Sequence, residues 1–322
     1  MNVLITSASR KVSLVRAFQE ALDREGGGMV IPADASPYSA ALYESPLRLI
    51  VPPSDDGHFI STLLDLCIKY QVKLLVPTRD EELPVFAAHR QDFAQNETVV
   101  MVGSPVTIEL CQDKKRFLDF CRSENLCVPE EYSPADVKRR PELFPLFVRD
   151  RVGKGGRKAF RVNNPEQLEQ IFEQLEDPII QECVEAPEYT VDLFSDFYGR
   201  IISVVPRQRL KVFGGESFVG KTFYHETIIH ECCRLARKLS LVGHNTIQLF
   251  FDGTLVKFIE VNPRYGGGAS LGFAAGAHTP TYLVRLVKGL PVEPRIGEFK
   301  RDLVMLRYTR DRFLEESELA GK

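Results

Sequence analysis

The segment LVKFIEVNPRYGGG at residues 255–268 places a polar residue at every second position of an apolar strand. Because side chains alternate across a strand, Glu260, Asn262 and Arg264 share one face, and the apolar residues between them point to the other. Carboxylate and amide oxygens suit Mg²⁺, which takes one or two carboxylates and completes its shell with phosphate oxygens and water. The Arg264 guanidinium is suited to neutralise charge on a transferring phosphoryl group. A solvated strand face is the alternative, although glutamate and asparagine are poor strand formers.

The upstream strand TIQLFF offers Gln248 as a third oxygen ligand, provided that it lies on the same face as Glu260. A tight two-residue turn at 252–253 would pair Gln248 with Lys257 and put it on the opposite face. A three-residue loop would shift the pairing to Phe258 and bring Gln248 to the face of Glu260. The metal hypothesis therefore predicts an odd-length or bulged turn at this point, and a clean two-residue turn would count against Gln248.

A glycine-rich stretch, VGKGGRK at residues 152–158, lies between two strand-like runs. Its backbone N–H groups can approach a phosphate, and Lys154 adds positive charge. It is not a P-loop, because no Ser or Thr follows a Gly-Lys pair at the head of a helix. Taken alone, the stretch is also typical of a flexible solvated turn.

The segment IIQECVEAPEYTVD at residues 179–192 begins as a buried strand, breaks at an Ala-Pro pair and resumes as an alternating strand. The break predicts unpaired backbone groups at Glu182, Cys183 and Val184, which the edge of a purine could use as a neighbouring strand would. Glu188 would then accept hydrogen bonds from ribose hydroxyls. A kinked edge strand with surface carboxylates is the alternative.

The elements that must position these groups show two different sequence patterns, one in each part of the chain. Up to about residue 100, short apolar strands alternate with helical patterns, which predicts a parallel sheet covered on both faces. The segment GSP at 103–105 signals a loop, and we place a domain boundary near residue 104. From residue 145 onward, glycine turns and two-residue alternation predict an α+β unit with antiparallel sheets.

Polar residues follow the strands of the predicted parallel sheet, at the edge where open α/β sheets bind ligands. They include Arg10 in the first turn, Asp34 after the second strand and Asp80 after a later one. Asp34 has the position of a ribose-binding acid in a dinucleotide site. The first turn, TSASRK, contains no glycine, however, so an NAD-dependent oxidoreductase is the less favoured alternative.

Composition excludes several classes of function. The chain has 26% charged residues and a formal net charge of -3, which provides no basic field for nucleic acid. Its seven cysteines are scattered without a CxxC pair, which indicates reduced thiols and a cytoplasmic protein. We expect neither export nor membrane insertion, because the N-terminus has no charged leader and no apolar run approaches the ~18 residues of a membrane span.

The order of DKxxF, RDRxGKGG, QECVEAPEYTVD, QLFFDG and FIEVNPRYGGG resembles the ATP-grasp superfamily, most closely its carbamoyl-phosphate-synthase large-chain-like branch. The resemblance covers nearly the whole chain. It implies a combined α/β and α+β architecture, with a Rossmann-like parallel-sheet domain at 1–104 followed by a two-lobed ATP-grasp domain at 105–322. Within the second domain, the lid would span 115–182 and the C-terminal lobe 183–322.

The resemblance also implies an activity and its cofactors. It predicts an ATP-dependent carboxylate-amine ligase that uses Mg²⁺, with Mn²⁺ as a substitute, and proceeds through an acyl phosphate. The expected partners are small-molecule carboxylate and amine substrates, without nucleic acid or membrane, and a homodimer is the oligomer to consider. A non-catalytic ATP-binding module or an ATPase of the same fold is the alternative.

Roles carried over from the family fall on three sets of residues. The ATP-binding set is Lys114, Arg149, Lys154, Gly155, Gly156, Glu182, Cys183, Val184 and Glu188. The metal ligands are Gln248, Glu260 and Asn262, and Arg264 is the catalytic residue. Two departures stand out: Arg149 followed by Asp150 replaces the usual Lys-Pro, and Thr246 stands where relatives often have Asn.

Substrate recognition is predicted from a basic segment, PRQRLKVFGGESFVGKT at residues 206–222. We expect it to be a loop between a strand and a helix, in which Arg207, Arg209 and Lys211 bind the carboxylate substrate. A solvated charge run is the alternative. Arg10 and Asp80 of the first domain are expected to face the same cleft.

Overall fold

The first hundred residues form an all-parallel sheet, as predicted from their alternating strands and helices. The computed structural model describes residues 1–153 and 158–319. The strand order is β3-β2-β1-β4-β5, and the strands are β1 (Asn2–Ile5), β2 (Val30–Asp34), β3 (Leu49–Ile50), β4 (Val72–Val76) and β5 (Val99–Val100). The helices are α1 (Val12–Arg24), α2 (Phe59–Lys69) and α3 (Leu83–Gln95), and short 3₁₀ turns occupy Ala40–Glu44 and Asp80–Glu82.

Both faces of this sheet are covered, which explains why its strands are apolar throughout. Val3 and Ile5 pack with Phe18 of α1 on one face. Leu4 and Ile31 pack with α2 and α3 on the other. The carboxyl ends of the parallel strands are left as the open edge, where Thr6, Asp34 and Asp80 lie.

Two helices lead into a second, four-stranded sheet. They are α4 (Pro105–Gln112) and α5 (Lys114–Ser123). The sheet is antiparallel with the order β6-β9-β7-β8, and its elements are β6 (Glu131–Tyr132), α6 (Pro134–Arg139), a 3₁₀ turn (Pro141–Leu143), β7 (Leu146–Asp150), β8 (Ala159–Val162), α7 (Pro165–Phe172) and β9 (Pro178–Glu182). The unit has a small core of its own, centred on Leu146, Val148 and Ile180. We call β6 to β9 with α6 and α7 the lid sheet.

The third sheet has six strands in the order β14-β13-β10-β11-β12-β15, all antiparallel. Its elements are β10 (Glu188–Ser195), β11 (Ile201–Phe213), β12 (Glu216–Thr222), α8 (Glu226–Lys238), β13 (Gly243–Phe251), β14 (Val256–Asn262), α9 (Ala269–Ala274), α10 (Thr279–Val287), β15 (Val304–Leu306) and a last 3₁₀ turn (Glu316–Glu318). One face is apolar and packs against α8. The other face carries the polar side chains of the candidate site.

The segment at 206–222 is not a loop, so that prediction is wrong. It is most of a β-hairpin in which β11 pairs with β12, and the turn falls at Gly214 and Gly215, both with positive φ. Arg207 and Arg209 occupy alternate positions of β11 and therefore point to one face of the sheet. Among the helices of residues 1–153 and 158–319, none is long and apolar enough to cross a membrane.

Candidate nucleotide and metal site

The candidate metal ligands lie on neighbouring strands, in a register that differs from both predicted alternatives. Leu249 pairs with Phe258, the register then shifts by one residue at Ile259, and Gln248 pairs with Glu260. The bulge lies within β14, whereas the connection at 252–255 has an even length, so the prediction of an odd-length or bulged turn is wrong. The bulge places Gln248 beside Glu260 on the polar face of the sheet.

The side chains of β14 already contact one another on this face. The Asn262 amide nitrogen donates to Oε1 of Glu260 at 3.1 Å, and its Oδ1 accepts from Nη2 of Arg264 at 3.2 Å. The described residues contain no cluster of three His, Cys, Asp or Glu side chains that could hold a metal ion. One carboxylate with two amides is a weak site for a free ion, but it fits Mg²⁺ that arrives with phosphate oxygens.

Arg149 of β7 links the lid sheet to β14, the strand that carries Glu260 and Asn262. Its Nε donates to Gln181 at 3.0 Å, and its Nη2 donates to the carbonyl of Ile259 at 3.2 Å. That carbonyl belongs to the bulge residue, whose place in the strand ladder is irregular. Nη1 lies 4.0 Å from Oε2 of Glu260. Burial lowers the pKa of Arg149 and Glu260 opposes the shift, so the guanidinium faces the site as a desolvated cation.

Lys114 supplies a second buried cation at the first position of α5. Its Nζ donates to the carbonyl of Gly153 at 2.9 Å. Burial lowers the pKa of Lys114, and the charge of Glu260 raises it. The ammonium therefore sits between Glu260 and the start of the glycine-rich stretch. The predicted phosphate contacts Lys154, Gly155 and Gly156 lie outside the described residues.

The predicted adenine segment follows β9. Cys183 and Val184 lie outside any strand and are partly exposed. No backbone hydrogen bond joins them to another described residue. The prediction that the backbone of Glu182 is unpaired is wrong, because its N–H donates to the carbonyl of Glu130 at 2.9 Å. The Glu182 carboxylate accepts from the Glu130 N–H at 2.9 Å and pairs with Lys257.

Glu188, the predicted ribose acceptor, is ion-paired with Arg209. The two residues come from β10 and β11, which are adjacent in the sheet. Arg209 also donates to the carbonyl of Gly215 at 2.8 Å. A carboxylate has about four lone-pair sites, so this pairing leaves Glu188 able to accept from hydroxyls as well.

Arg207 is buried rather than presented to a substrate. Its Nε and Nη2 donate to the two oxygens of Asp192 at 2.7 and 2.8 Å, and both side chains are 2% exposed. Burial alone would raise the pKa of Asp192, but Arg207 and His244 outweigh it and hold that pKa at about 2. The prediction that Arg207 binds the carboxylate substrate is therefore wrong. Arg207 instead forms a buried ion pair with Asp192 inside the third sheet's domain. Lys211 is exposed farther along β11.

Arg264 reaches across to the first domain. Its Nε and Nη2 donate to the two oxygens of Asp80 at 2.9 and 2.8 Å. The Asp80 carboxylate therefore lies against the Arg264 guanidinium. Arg10 also lies at this edge, but its side chain is 88% exposed, and its nearest acid is Glu216 at 3.9 Å.

The glycine run at 266–268 has a packing reason. A Cβ at Gly266 would lie 2.7 Å from Oγ1 of Thr246, and a Cβ at Gly268 would lie 2.4 Å from Nη1 of Arg207. The backbone after Arg264 therefore passes directly over buried polar side chains, where only glycine fits.

Two family models match separate parts of the chain. The PylC-like N-terminal domain matches residues 3–101, and the family described as ATP-grasp in the biosynthetic pathway with Ter operon matches residues 174–310, which begin just before β9 of the lid sheet. Residues 174–310 are therefore similar to an ATP-grasp domain, in agreement with the resemblance seen in the sequence.

Solved structures share the fold of this chain at low identity. The biotin carboxylase domain of Hydrogenobacter thermophilus 2-oxoglutarate carboxylase, a dimer in complex with MgADP, ADP and bicarbonate, is similar with a TM-score of 0.76 and 14% identity over 94% of this chain and 73% of that one. The Campylobacter jejuni biotin carboxylase complex with β-γ-ATP gives 0.75 and 15% over 94% and 74%. The Staphylococcus aureus N5-carboxyaminoimidazole synthetase with ADP gives 0.73 and 15% over 95% and 82%. No curated protein matches the chain in sequence.

Two residues near the candidate site were missed from the sequence. Glu82 is 1% exposed and accepts from Thr6 at 3.1 Å and from Ser7. Lys11 is electrostatically coupled to Arg264 and Glu82. Lys11 follows Arg10 in the TSASRK turn, so the choice of this turn as a candidate ligand-binding edge could have included Lys11 as well.

Proposed function

We propose that this ATP-grasp protein is an ATP- and Mg²⁺-dependent ligase that activates a carboxylate as an acyl phosphate and joins it to an amine. The observation that carries the proposal is the bulged register of β13 and β14. It gathers Gln248, Glu260 and Asn262 on one face, beside the buried cations Lys114 and Arg149. Oxygen ligands next to buried cations are what a magnesium-bound polyphosphate requires.

Each group has a role in this proposal. Gln248, Glu260 and Asn262 would hold Mg²⁺, which when bound supplies positive charge to the phosphates. Lys114 and Arg149 contact phosphate oxygens, as the resemblance implies for Lys154, Gly155 and Gly156. The unpaired backbone of Cys183 and Val184, beside Glu182, receives the adenine edge, and Glu188 accepts from the ribose. These are positioning and charge-neutralising roles, and phosphoryl transfer needs little else from a protein.

The chemistry balances without a protein nucleophile. A substrate carboxylate oxygen attacks the γ-phosphorus, and the bond to the ADP oxygen breaks. The amine nitrogen then attacks the acyl carbon, phosphate leaves with the electron pair of the C–O bond, and a nitrogen-bound proton passes to the departing phosphate. Arg264 lies beside Asn262, where it would neutralise charge that develops on the transferring group.

The solved relatives support this proposal through their ligands. The three solved structures contain MgADP, ADP or a β-γ-ATP ligand in proteins of the same fold, and we extend nucleotide binding to this chain. We keep the predicted boundary near residue 104, since β5 ends at Val100 and α4 begins at Pro105. We also keep the cytoplasm as location, in agreement with seven free cysteines, and a homodimer as the oligomer to test first.

Nucleotide turnover tests the proposal. The purified protein is incubated with ATP, Mg²⁺, pooled carboxylates and pooled amines, and ADP release is followed. Release that requires both a carboxylate and an amine supports a ligase, whereas release that requires neither identifies an ATPase.

Glu260→Ala tests the metal assignment within the same assay. We expect ADP release to fall by about 100-fold or more, because the only carboxylate of the proposed ligand set is removed. Glu142→Ala is the matched control, since Glu142 is an exposed acid of the lid sheet paired only with Arg140 among the described residues. Full activity in Glu260→Ala would defeat the proposed site.

A further inference from the structure

The contact between Asp80 and Arg264 joins residues 184 positions apart. Two parallel hydrogen bonds connect a carboxylate and a guanidinium, which is the geometry that arginine uses to bind any free carboxylate. The side chains are 16% and 19% exposed, so the pair lies inside the cleft between the first domain and the third sheet.

The Asp80 carboxylate is held in this position by its own domain. Asp80 opens the 3₁₀ turn Asp80–Glu82, and the Gln112 amide donates to its carbonyl. Two positions later the buried carboxylate of Glu82 accepts from Thr6 at 3.1 Å and from the N–H of Thr78 at 3.3 Å. The turn is therefore fixed to the open edge of the parallel sheet, and Asp80 is presented to Arg264 by a rigid support.

Lys11, the N-cap residue of α1, is a second and partly buried cation near the open edge of the parallel sheet. Burial lowers the pKa of Lys11, the charges of Arg264 and Arg79 lower it further, and the charges of Glu82 and Asp34 raise it. An added anion between Lys11 and Arg264 would relieve that repulsion.

We propose that Asp80 occupies the position of the carboxylate that the enzyme activates. In the free enzyme Asp80 binds Arg264, and the substrate carboxylate replaces it between Arg264 and Lys11. This inference rests on the proposed ligase function and specifies where its first substrate binds. A carboxylate on Arg264 lies next to Asn262, which is 3.2 Å from the guanidinium, and hence next to the phosphate that it must attack.

Acetate binding to Arg264 tests the inference without nucleotide or turnover. Arginine is ¹⁵N-labelled, the guanidinium signal of Arg264 is assigned with Arg264→Lys, and acetate is titrated. Because Asp80 competes with the added carboxylate, Asp80→Asn should lower the half-saturating acetate concentration by about five-fold or more. Glu81→Gln is the matched control, since it removes the same charge one residue away and Glu81 pairs with Arg79. The control should titrate like the wild type.

Two further variants decide the remaining outcomes. Lys11→Met should raise the half-saturating concentration in an otherwise native chain, which keeps the inference testable should Asp80→Asn not fold. An unchanged acetate response in both Asp80→Asn and Lys11→Met overturns the inference.

Turnover separates this inference from the proposed function. With a carboxylate that supports ADP release, Asp80→Asn should lower the KM for that carboxylate. A fall in kcat without a lower KM would mean that Asp80 only positions Arg264, which overturns the inference and leaves the ligase intact. Acetate competition in a protein that releases no ADP with any carboxylate would retain the binding site and overturn the ligase.

Discussion

The candidate site contains more buried positive charge than the Glu260 carboxylate alone neutralises. Burial lowers the pKa values of Lys114 and Arg149, and Glu260 is the carboxylate that opposes both shifts. The two desolvated cations therefore share the Glu260 carboxylate, although Asp150 and Asp113 also oppose the pKa shift of Lys114. Phosphate oxygens would supply the missing negative charge, so nucleotide binding relieves an electrostatic cost that the free protein carries.

A different buried pair, Asp192 with Arg207, has a structural role that unfolding measurements can isolate. Removing one partner leaves the other charge buried and unpaired, so we expect Asp192→Asn to lose about 3 kcal/mol of unfolding free energy at pH 7. The folded pKa of Asp192, about 2, lies below its unfolded value of 3.8. Its stabilisation is therefore complete above pH ~4 and is lost as the pH falls toward ~2.

Denaturant unfolding at two pH values checks both parts of this expectation. The difference between wild type and Asp192→Asn should narrow by about 1 kcal/mol between pH 7 and pH 3. Asp55→Asn, at an exposed position, controls for the loss of one negative charge. A gap that stays constant with pH would show that the carboxylate charge of Asp192 does not stabilise the fold.

Sequence reasoning succeeded at residues whose neighbours are close in the chain. The shared face of Glu260 and Asn262 follows from strand alternation, whereas the pairing of Gln248 with Glu260 was not predicted, because it depends on a bulge at Ile259 within β14. The pairing of Arg209 with Glu188 could not be predicted, because it depends on which strand lies beside β11. The burial of Arg207 was missed for the same reason.

Among the elements, the hairpin β11–β12 was wrongly predicted to be a loop because of its composition. Basic residues and two glycines at 206–222 are typical of a loop, yet β11 runs for 13 residues. The cations of a loop are solvated, whereas Arg207 and Arg209 are neutralised by acids on β10. Their two-residue spacing was the strand signal.

The glycine run beside this hairpin gives a prediction at the same scale. A Cβ at Gly268 would lie 2.4 Å from Nη1 of Arg207, which cannot move away because Asp192 holds its other nitrogens. We expect Gly268→Ala to lose about 1–3 kcal/mol of unfolding free energy through overpacking. Gly57→Ala, where a Cβ meets no atom within 4 Å, should stay within about 0.5 kcal/mol of wild type. Equal stability of the two variants in urea unfolding would contradict this account of the run.

For the whole molecule, the two predicted domains share a core. Leu283 of α10 packs with Phe18 of α1 and with the first strand of the parallel sheet. Arg285 of α10 binds both oxygens of Glu25 at 3.1 and 3.0 Å. The parallel and antiparallel parts of the chain could be told apart in the sequence. The contact between α1 and α10 could not be predicted, because it brings together residues about 260 positions apart.

The lid sheet, by contrast, has a separate core of seven buried residues. Its described polar links to the rest include Arg149 with Ile259, Glu182 with Lys257, and Glu131 with Lys115 of α5. A small core opens at lower free energy than a large one. We therefore expect backbone amides of β7 and β8 to exchange with deuterium about 10-fold faster or more than those of β1, β4, β10 and β13.

Nucleotide should change this exchange selectively, because the same links border the proposed ATP site. With ATP and Mg²⁺, protection should rise in β7 and β8 and stay constant in β1, which lies outside the site. Glu260→Ala is the matched control, since without its carboxylate the added nucleotide should leave lid-sheet exchange at the free level. Uniform exchange across all three sheets, or slowing in Glu260→Ala equal to that of wild type, would mean that the lid sheet does not move independently or that nucleotide binds elsewhere. The expected pattern would instead identify the lid sheet as the part of the molecule that closes over the phosphates. Arg149 would link the two parts, because it belongs to the lid sheet and contacts Ile259 and Glu260 of β14.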